Sequence, residues 1–242
     1  MWRMQSYRRI LLSGLLRTPS GLMNLLQMTV LSYYFGNNGR TPYVHYMLLL
    51  GIPAFLGQLI AAGAAPKLAD KHGAATTFAQ ANVFAGLALL AAFALFLCRP
   101  QQLTQALPFT LLILLLFCNM FCCGLVNTVQ SILIADAADL TEKESGIRRD
   151  GIFVSGQSLL IKLSTGVSAL LQGLVFAISG FSGTAVRQIN RALYAGADFA
   201  TDPSFATPRF AMFFLFLCLP GIAYLLSALP YRKGRNPHKA PV

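Results

Sequence analysis

Charged side chains are scarce in this sequence. Asp, Glu, Lys and Arg make up 11% of its 242 residues, whereas a soluble globular domain carries about 25%. Apolar residues make up 55% of the chain. This balance excludes an ordinary water-soluble domain and indicates a chain that lies mostly in lipid.

The residue types that most often carry catalysis or bind metals are few and dispersed. The three histidines show no ligand spacing, and the five cysteines form no C-x-x-C pair. Cys118 and Cys122 share a helix face without a histidine or carboxylate beside them, so we interpret them as small packing residues rather than zinc ligands. No Ser–His–Asp set, phosphate loop or metal cluster can be assembled. The sequence therefore predicts a protein that is not an enzyme and has no resident cofactor.

Long apolar stretches fill the sequence instead. They run over approximately residues 10–35, 43–66, 74–98, 108–135, 151–179 and 209–231. About 20 mainly apolar residues cross the roughly 30 Å of hydrocarbon in a bilayer. Because lipid offers the backbone no hydrogen-bond partner, each stretch is expected to be a helix. The predicted fold is an all-α membrane protein, with six transmembrane helices within residues 1–231 and a basic cytoplasmic tail at 232–242.

The basic residues set the expected orientation. Nineteen Lys and Arg against eight Asp and Glu give a net charge of +11. With both termini in the cytoplasm, twelve basic residues lie in inner segments, five in outer segments and two within spans. This excess fits the positive-inside rule, so a multi-pass protein with cytoplasmic termini is predicted. Nucleic acid is not expected as a partner, because the charge comes without a reader motif or a single basic face.

Lys162 is the most informative residue within a span. It lies about 17 Å along the fifth predicted helix, close to the middle of the membrane. A lysine there costs about 2.5–3.5 kcal/mol on insertion scales. Lys162 is therefore expected to face a polar cavity, with Ser158 on the same helix face and Gln157 beside it; the alternative is that its ammonium snorkels to an interface. Arg17, near the start of the first span, is expected to snorkel to the inner headgroups.

The residues around the longest inner connection resemble a known family. The segments are IADAADL at 134–140, GIRRDG at 146–151 and QSLLIK at 157–162. In this register they resemble the glycoside–pentoside–hexuronide:cation symporters, the melibiose-carrier-like branch of the major facilitator superfamily. PKLADKHG at 66–73 is similar to the short inner-loop motif of the superfamily, and Tyr-Tyr-Phe at 33–35 is a weaker match.

The resemblance covers the C-terminal half of that family, helices seven to twelve. It implies one half of a major facilitator bundle in the bacterial inner membrane, taking part in symport of a sugar or glycoside with Na⁺ or H⁺ by alternating access. The implied partners are the lipid bilayer, the sugar, and a complementary N-terminal half or a second copy. The implied cavity residues are Asn24, Gln27, Asn127, Gln130, Gln157, Ser158 and Lys162. The implied cytoplasmic gate residues are Asp70, Asp136, Asp139 and Arg148.

Several features keep a second interpretation open. The family tyrosine after the second aspartate is Leu140 here, and Asn127 stands where family members carry an aromatic residue. No Asp or Glu lies within a predicted membrane core, although the cation sites of the family need acidic residues. The polar span residues are also consistent with hydrogen bonds between helices, and the gate residues with charges kept in water. The alternative function is a non-transporting fragment or an accessory membrane bundle.

Overall fold

Helices make up almost all of the described structure. The computed structural model describes residues 5–37, 43–146, 150–178 and 183–231, and these ranges contain no strand. The predicted basic tail at 232–242 and the gate residue Arg148 lie outside the described residues.

The described ranges contain nine α-helices, several of them joined by short 3₁₀ or π-helical turns. They are α1 (Gln5–Leu16), α2 (Leu22–Val30), α3 (Val44–His72), α4 (Ala74–Cys98), α5 (Ala106–Ser145), α6 (Asp150–Ile178), α7 (Gly183–Ala195), α8 (Ala206–Phe213) and α9 (Leu219–Ser227). A 3₁₀ turn at Thr18–Gly21 links α1 to α2, and a π-helical turn at Phe214–Cys218 links α8 to α9.

Five segments are long and apolar enough to cross a membrane within the described part of the chain. They are Val44–His72, Ala74–Cys98, Ala106–Lys143, Gly151–Ile178 and Pro203–Tyr231. These five confirm an all-helical, multi-pass membrane protein. The sixth predicted span, at 10–35, contains no single helix of sufficient length, because the chain breaks between α1 and α2.

Pro19 accounts for the break in the first segment. A proline inside a helix has no N–H to donate, and its ring clashes with the carbonyl four residues earlier. That carbonyl belongs to Leu15, and here it accepts a hydrogen bond from the Thr18 hydroxyl instead. The chain then resumes as α2 and continues through a π-helical turn, Leu31–Phe35. The prediction of one continuous helix over 10–35 was therefore wrong.

Two connections also differ from their predicted form. The charged inner connection predicted at 140–150 is helical as far as Ser145, where α5 ends. The next residue, Gly146, has a φ of 68°, the left-handed conformation that is typical just after a helix C-terminus. The long loop predicted at 181–208 contains the amphipathic helix α7. Ile189 and Leu193 of α7 are buried in the main core.

The core lies among α4, α5 and the last segment, whereas α3 and α6 are peripheral. In the most apolar 18-residue window of each span, 50% of α4 and 50% of α5 are buried, but only 11% of α3 and 6% of α6. The helices approach closely at small residues: a Cβ added to Gly86 of α4 would lie 2.7 Å from the Gly221 carbonyl oxygen of α9. α3 runs along α5, and α6 packs against the turn between α1 and α2.

Candidate functional site

A polar cavity of about 450 Å³ lies beside the break in the first segment. We call it the polar cavity. Its polar lining comes from six parts of the chain, the turn after α1 and helices α2, α3, α5, α6 and α9, and includes Arg17, Asn24, Gln58, Asn127, Gln130 and Gln157. Its volume falls within the range of about 300–1,000 Å³ that is typical of small-molecule sites.

The polar cavity lies halfway along the spanning helices. Gln58 is the central residue of α3, and Ser164, which also lines the cavity, is the central residue of α6. Both helices are long enough to cross a membrane. The cavity therefore lies about halfway along two helices that are each long enough to cross a membrane.

The break between α1 and α2 fixes the position of α6. The hydroxyls of Ser164 and Ser168 both donate to the Thr18 carbonyl, at 2.8 Å and 3.1 Å. Gly21 allows this approach, since a Cβ there would lie 2.7 Å from the Ser168 hydroxyl oxygen. The bonds satisfy a carbonyl in the irregular turn, which lipid could not do. They also hold Gln157 and Ser164, on the same face of α6, against the polar cavity.

Arg17 points into the bundle. It is the last residue before the 3₁₀ turn and is half-buried. Its guanidinium Nη2 donates to Gln130 Oε1 at 2.7 Å, and both residues line the polar cavity. The prediction that Arg17 snorkels to the inner headgroups was therefore wrong. α1 ends at Leu16, directly before Arg17, and the side chain of Arg17 is directed toward Gln130 of α5.

Four of the predicted cavity residues line the polar cavity together. These are Asn24, Asn127, Gln130 and Gln157. Gln27 lines an adjoining, mostly apolar cavity of about 240 Å³. The two cavities share Met23, Asn24 and Met120, so Gln27 extends the same recess.

Ser158 and Lys162 lie elsewhere. Both are exposed, and neither lines the polar cavity. Among the residues of α6 that line the cavity, Thr165 is three residues from Lys162, or about 60° around the helix, and the other four are about 100° or more away. Lys162 therefore lies on the flank of α6 next to Thr165 and outside the lining, so the predicted grouping of Lys162 with Gln157 in one cavity of this chain is not observed.

The predicted gate residues do not meet within the described structure. Asp136 and Asp139 are exposed on the extended end of α5, and Asp70 is exposed near the end of α3. Within the described ranges, none of the three makes a hydrogen bond or ion pair. Their pairing across a seam between two halves stays a prediction.

Other polar residues join helices. The Asn119 side chain of α5 donates to the Ala85 carbonyl of α4 at 3.1 Å. The Ser227 hydroxyl of α9 donates to Asn82 Oδ1 of α4 at 2.8 Å, and Ser13 of α1 donates to the Ser227 carbonyl at 2.6 Å. These residues are buried and stabilise the packing. In the described ranges, no group of three His, Cys, Asp or Glu side chains could hold a metal ion.

Gln58 is a cavity residue that the sequence analysis did not identify. It is the one strongly polar side chain in the apolar stretch at 43–66 apart from the histidine at 45. A glutamine in the middle of a span is costly in lipid unless it faces a polar site, and that signal could have identified it.

Comparisons with known proteins agree with this architecture. Residues 1–233 match the family model described as MFS/sugar transport protein. The chain is also 26% identical, over 189 residues, to the uncharacterized 29.9 kDa protein in the crtE 3′ region of Pseudescherichia vulneris, with 78% of this chain and 62% of that protein covered. The chain thus spans less than two thirds of the length of that relative. No solved structure matches it. Because the family match covers nearly the whole sequence, the chain belongs to the MFS/sugar transport protein family, a family of transporters and not of enzymes.

Proposed function

We propose that this chain supplies one six-helix half of a secondary transporter that moves a sugar or glycoside together with a cation, Na⁺ or H⁺, by alternating access. The observation that carries the proposal is the polar cavity at the centre of an otherwise apolar bundle. The family match supports a sugar as the transported molecule. Rocking of two bundles about a midplane site would then expose the cavity to each side in turn.

The lining of the polar cavity suits a polyhydroxylated ligand. Asn and Gln side chains each offer an amide donor and a carbonyl acceptor, and sugar hydroxyls need both. Asn24, Asn127 and Gln157 reach the cavity from three different helices. A ligand among them would meet hydrogen-bonding groups on several sides, which is how a few polar groups fix orientation in a mostly apolar site.

The two peripheral helices favour a complementary half as the partner. α3 and α6 are the least buried spans, and both border the polar cavity. Lys162 lies exposed two residues from the centre of α6, at a depth where an unpaired lysine costs about 2.5–3.5 kcal/mol. A carboxylate in a partner span would offset that cost. All eight Asp and Glu of this chain lie at or beyond the ends of the predicted spans, so a second copy offers no such group at that depth.

A complementary half would also give roles to the predicted residues that do not line the polar cavity. Ser158 and Lys162 would face the seam between the halves, near the cation site. Asp70, Asp136, Asp139 and Arg148 would form the inner gate by pairing with charges of the other half.

A non-transporting bundle is the alternative, favoured by the absence of any intramembrane carboxylate. A neighbouring reading frame that encodes six spans with intramembrane aspartates would favour the transporter, and a frameshifted remnant would favour the alternative.

Ligand protection of a single cysteine tests the proposal. Thr165→Cys, at the edge of the polar cavity, would be introduced after the five native cysteines are replaced. The rate of reaction with a water-soluble maleimide is then measured on the purified chain, with and without a panel of neutral and acidic sugars. At least one sugar is expected to slow labelling of Thr165→Cys without affecting the control Gln101→Cys, which lies in an exposed connection. If no sugar slows the labelling at Thr165, the cavity is not a sugar site.

A further inference from the structure

A second recess lies between α3 and α4, over α5. We call it the α3–α4 groove, and its volume is about 390 Å³. Both helices pack extensively on α5 and little on each other. The floor is apolar and aromatic, and along α5 it extends from Phe117 to Leu125, eight residues or about 12 Å. A groove of this kind accommodates an apolar chain rather than a sugar.

The α3–α4 groove is separate from the polar cavity. The two share no lining residue. On α5, Phe121 and Leu125 line the groove, and each is two residues, or about 200° around the helix, from Cys123 in the polar cavity. One wall of the groove belongs to α4, which does not line the polar cavity, and Phe84 of this wall is 61% exposed. The groove therefore opens to the surroundings of the bundle.

One end of the α3–α4 groove is polar. His72, Thr77 and Gln80 line it where α3 passes into α4. The Thr77 hydroxyl is already bonded, since it donates to the Leu68 carbonyl at 3.1 Å. The exposed side-chain amide of Gln80 makes no hydrogen bond in the described ranges. Gln80 lies six residues, or about 9 Å, into a span of 25 residues, close to where the hydrocarbon begins. An amide there needs a polar partner that hydrocarbon does not supply.

The polar end of the groove carries positive charge. Around α3, Lys71 lies about 60° from Leu68 and 100° from His72, which both line the groove. Asp70 lies about 160° from both, on the far side of the helix. The predicted orientation places this end at the cytoplasmic face, where anionic lipid headgroups attract lysines near the membrane surface. The charge of Lys71 is thus complementary to such a headgroup.

We propose that the α3–α4 groove binds one anionic phospholipid of the cytoplasmic leaflet. An acyl chain lies along the aromatic floor, an ester carbonyl accepts a hydrogen bond from Gln80, and the phosphate lies beside Lys71 and His72. A phospholipid carries its apolar chain and its anionic head at opposite ends, as the groove requires. The site does not depend on the proposed transport function. A bound lipid also adds contacts to α3, of which only 11% is buried in its most apolar window.

Quenching of tryptophan fluorescence by brominated lipid tests the proposal. The one native tryptophan is first replaced by Trp2→Phe. Phe84→Trp then reports on the groove. The control is Ile222→Trp, which is 40% exposed outside the groove. It lies at a similar depth, since a Cβ on Gly86 would lie 2.7 Å from the carbonyl oxygen of its neighbour Gly221. The purified chain is reconstituted in phosphatidylcholine with a rising fraction of dibrominated phosphatidylglycerol.

Half-maximal quenching of Phe84→Trp is expected at a phosphatidylglycerol fraction at least about fivefold lower than for Ile222→Trp, the selectivity that one lysine near the surface can supply. Lys71→Gln should bring the two fractions to within about twofold. Lys67→Gln is the matched control, because it removes an exposed lysine that lies farther around α3, about 100° from Leu68 and 140° from His72. This variant should leave the difference unchanged.

Three outcomes would overturn the proposal. The first is an equal half-maximal fraction at the two tryptophans, which is the result for ordinary lipid contact without a site. The second is a difference that survives Lys71→Gln. The third is a Phe84→Trp that is hardly quenched while Ile222→Trp is quenched, because a protein would then cover the groove. Circular dichroism shows whether each variant is folded, and if Lys71→Gln does not fold, Gln80→Leu takes its place, with loss of the difference as the expected result.

Discussion

Gly124 sets how closely α3 can lie against α5, and its replacement gives a quantitative test of the bundle. A Cβ built on Gly124 would lie 2.8 Å from the Ala61 Cβ and 2.8 Å from the Gln58 carbonyl oxygen. These are backbone and Cβ atoms, which cannot rotate away as the end of a long side chain can. Any larger residue at 124 must therefore push the two helices apart.

The expected cost of Gly124→Val follows from this geometry. Extra methyl groups in a well-packed core cost about 1–3 kcal/mol. The upper part of that range is expected here, since valine adds three carbons where the first already overlaps its neighbours. α3 has little other packing, with 11% of its most apolar window buried, so the loss cannot be regained elsewhere. Gln58 would move together with the backbone of α3, and the polar cavity would widen.

Gly63→Val is the matched control. Gly63 lies on α3 as well, and a Cβ there meets no atom within 4 Å. Gly63→Val changes the helix propensity as Gly124→Val does, but it creates no clash. Unfolding of the two purified variants in increasing SDS, followed by circular dichroism, should show Gly124→Val less stable than Gly63→Val by about 2–3 kcal/mol. Equal stability of the two would refute the close contact between α3 and α5.

Three further predictions concern the chain as a membrane protein. An impermeant thiol reagent added outside cells should label Asn38→Cys but not Ser145→Cys; the opposite pattern would reverse the orientation. The purified chain alone should give no cation-coupled sugar uptake in liposomes, because its spans hold no carboxylate, and robust Na⁺- or H⁺-dependent uptake would contradict this. Lys162→Leu should insert at least as well as the natural chain and should lose coupled transport once a complementary half is supplied; normal transport by this variant would remove Lys162 from the mechanism.

Hydropathy predicted the unbroken helices well and the broken ones poorly. The span predicted at 74–98 coincides with α4, because a glycine with a φ of 86° precedes it and Arg99-Pro100 follows it. The stretch at 10–35 is also long and mostly apolar, yet Pro19 breaks it. An average of side-chain hydropathy does not register one missing N–H. The helix α7 was not predicted, because its apolar residues recur with a helical period over only thirteen residues, which is too short to form a long apolar stretch.

The position of each polar residue along its helix could be predicted from the sequence, but the side of the helix on which it lies could not. Asn24, Asn127, Gln130 and Gln157 were grouped from their depth in the spans, and these amides line one cavity; their role in binding a substrate stays a prediction. The depth of Lys162 in its span could be predicted from the sequence, whereas the rotation of α6 depends on a contact with a residue far away in the chain. The hydroxyls of Ser164 and Ser168 bond the Thr18 carbonyl, and that contact directs Lys162 outward.

Arg17 and Lys162 both depart from their predicted positions, and the turn between α1 and α2 contributes to each departure. Without the break at Pro19, the Thr18 carbonyl would be used within a continuous helix and could not accept the hydroxyls of Ser164 and Ser168. With the break, α6 turns its serines inward and Lys162 outward, and Arg17 ends α1 next to Gln130. Arg17 then supplies the charge inside the polar cavity of this chain, while Lys162 lies on the surface available to a partner. The turn at Pro19 thus accounts both for the contact that holds α6, the least buried span, and for the position of Arg17 beside Gln130.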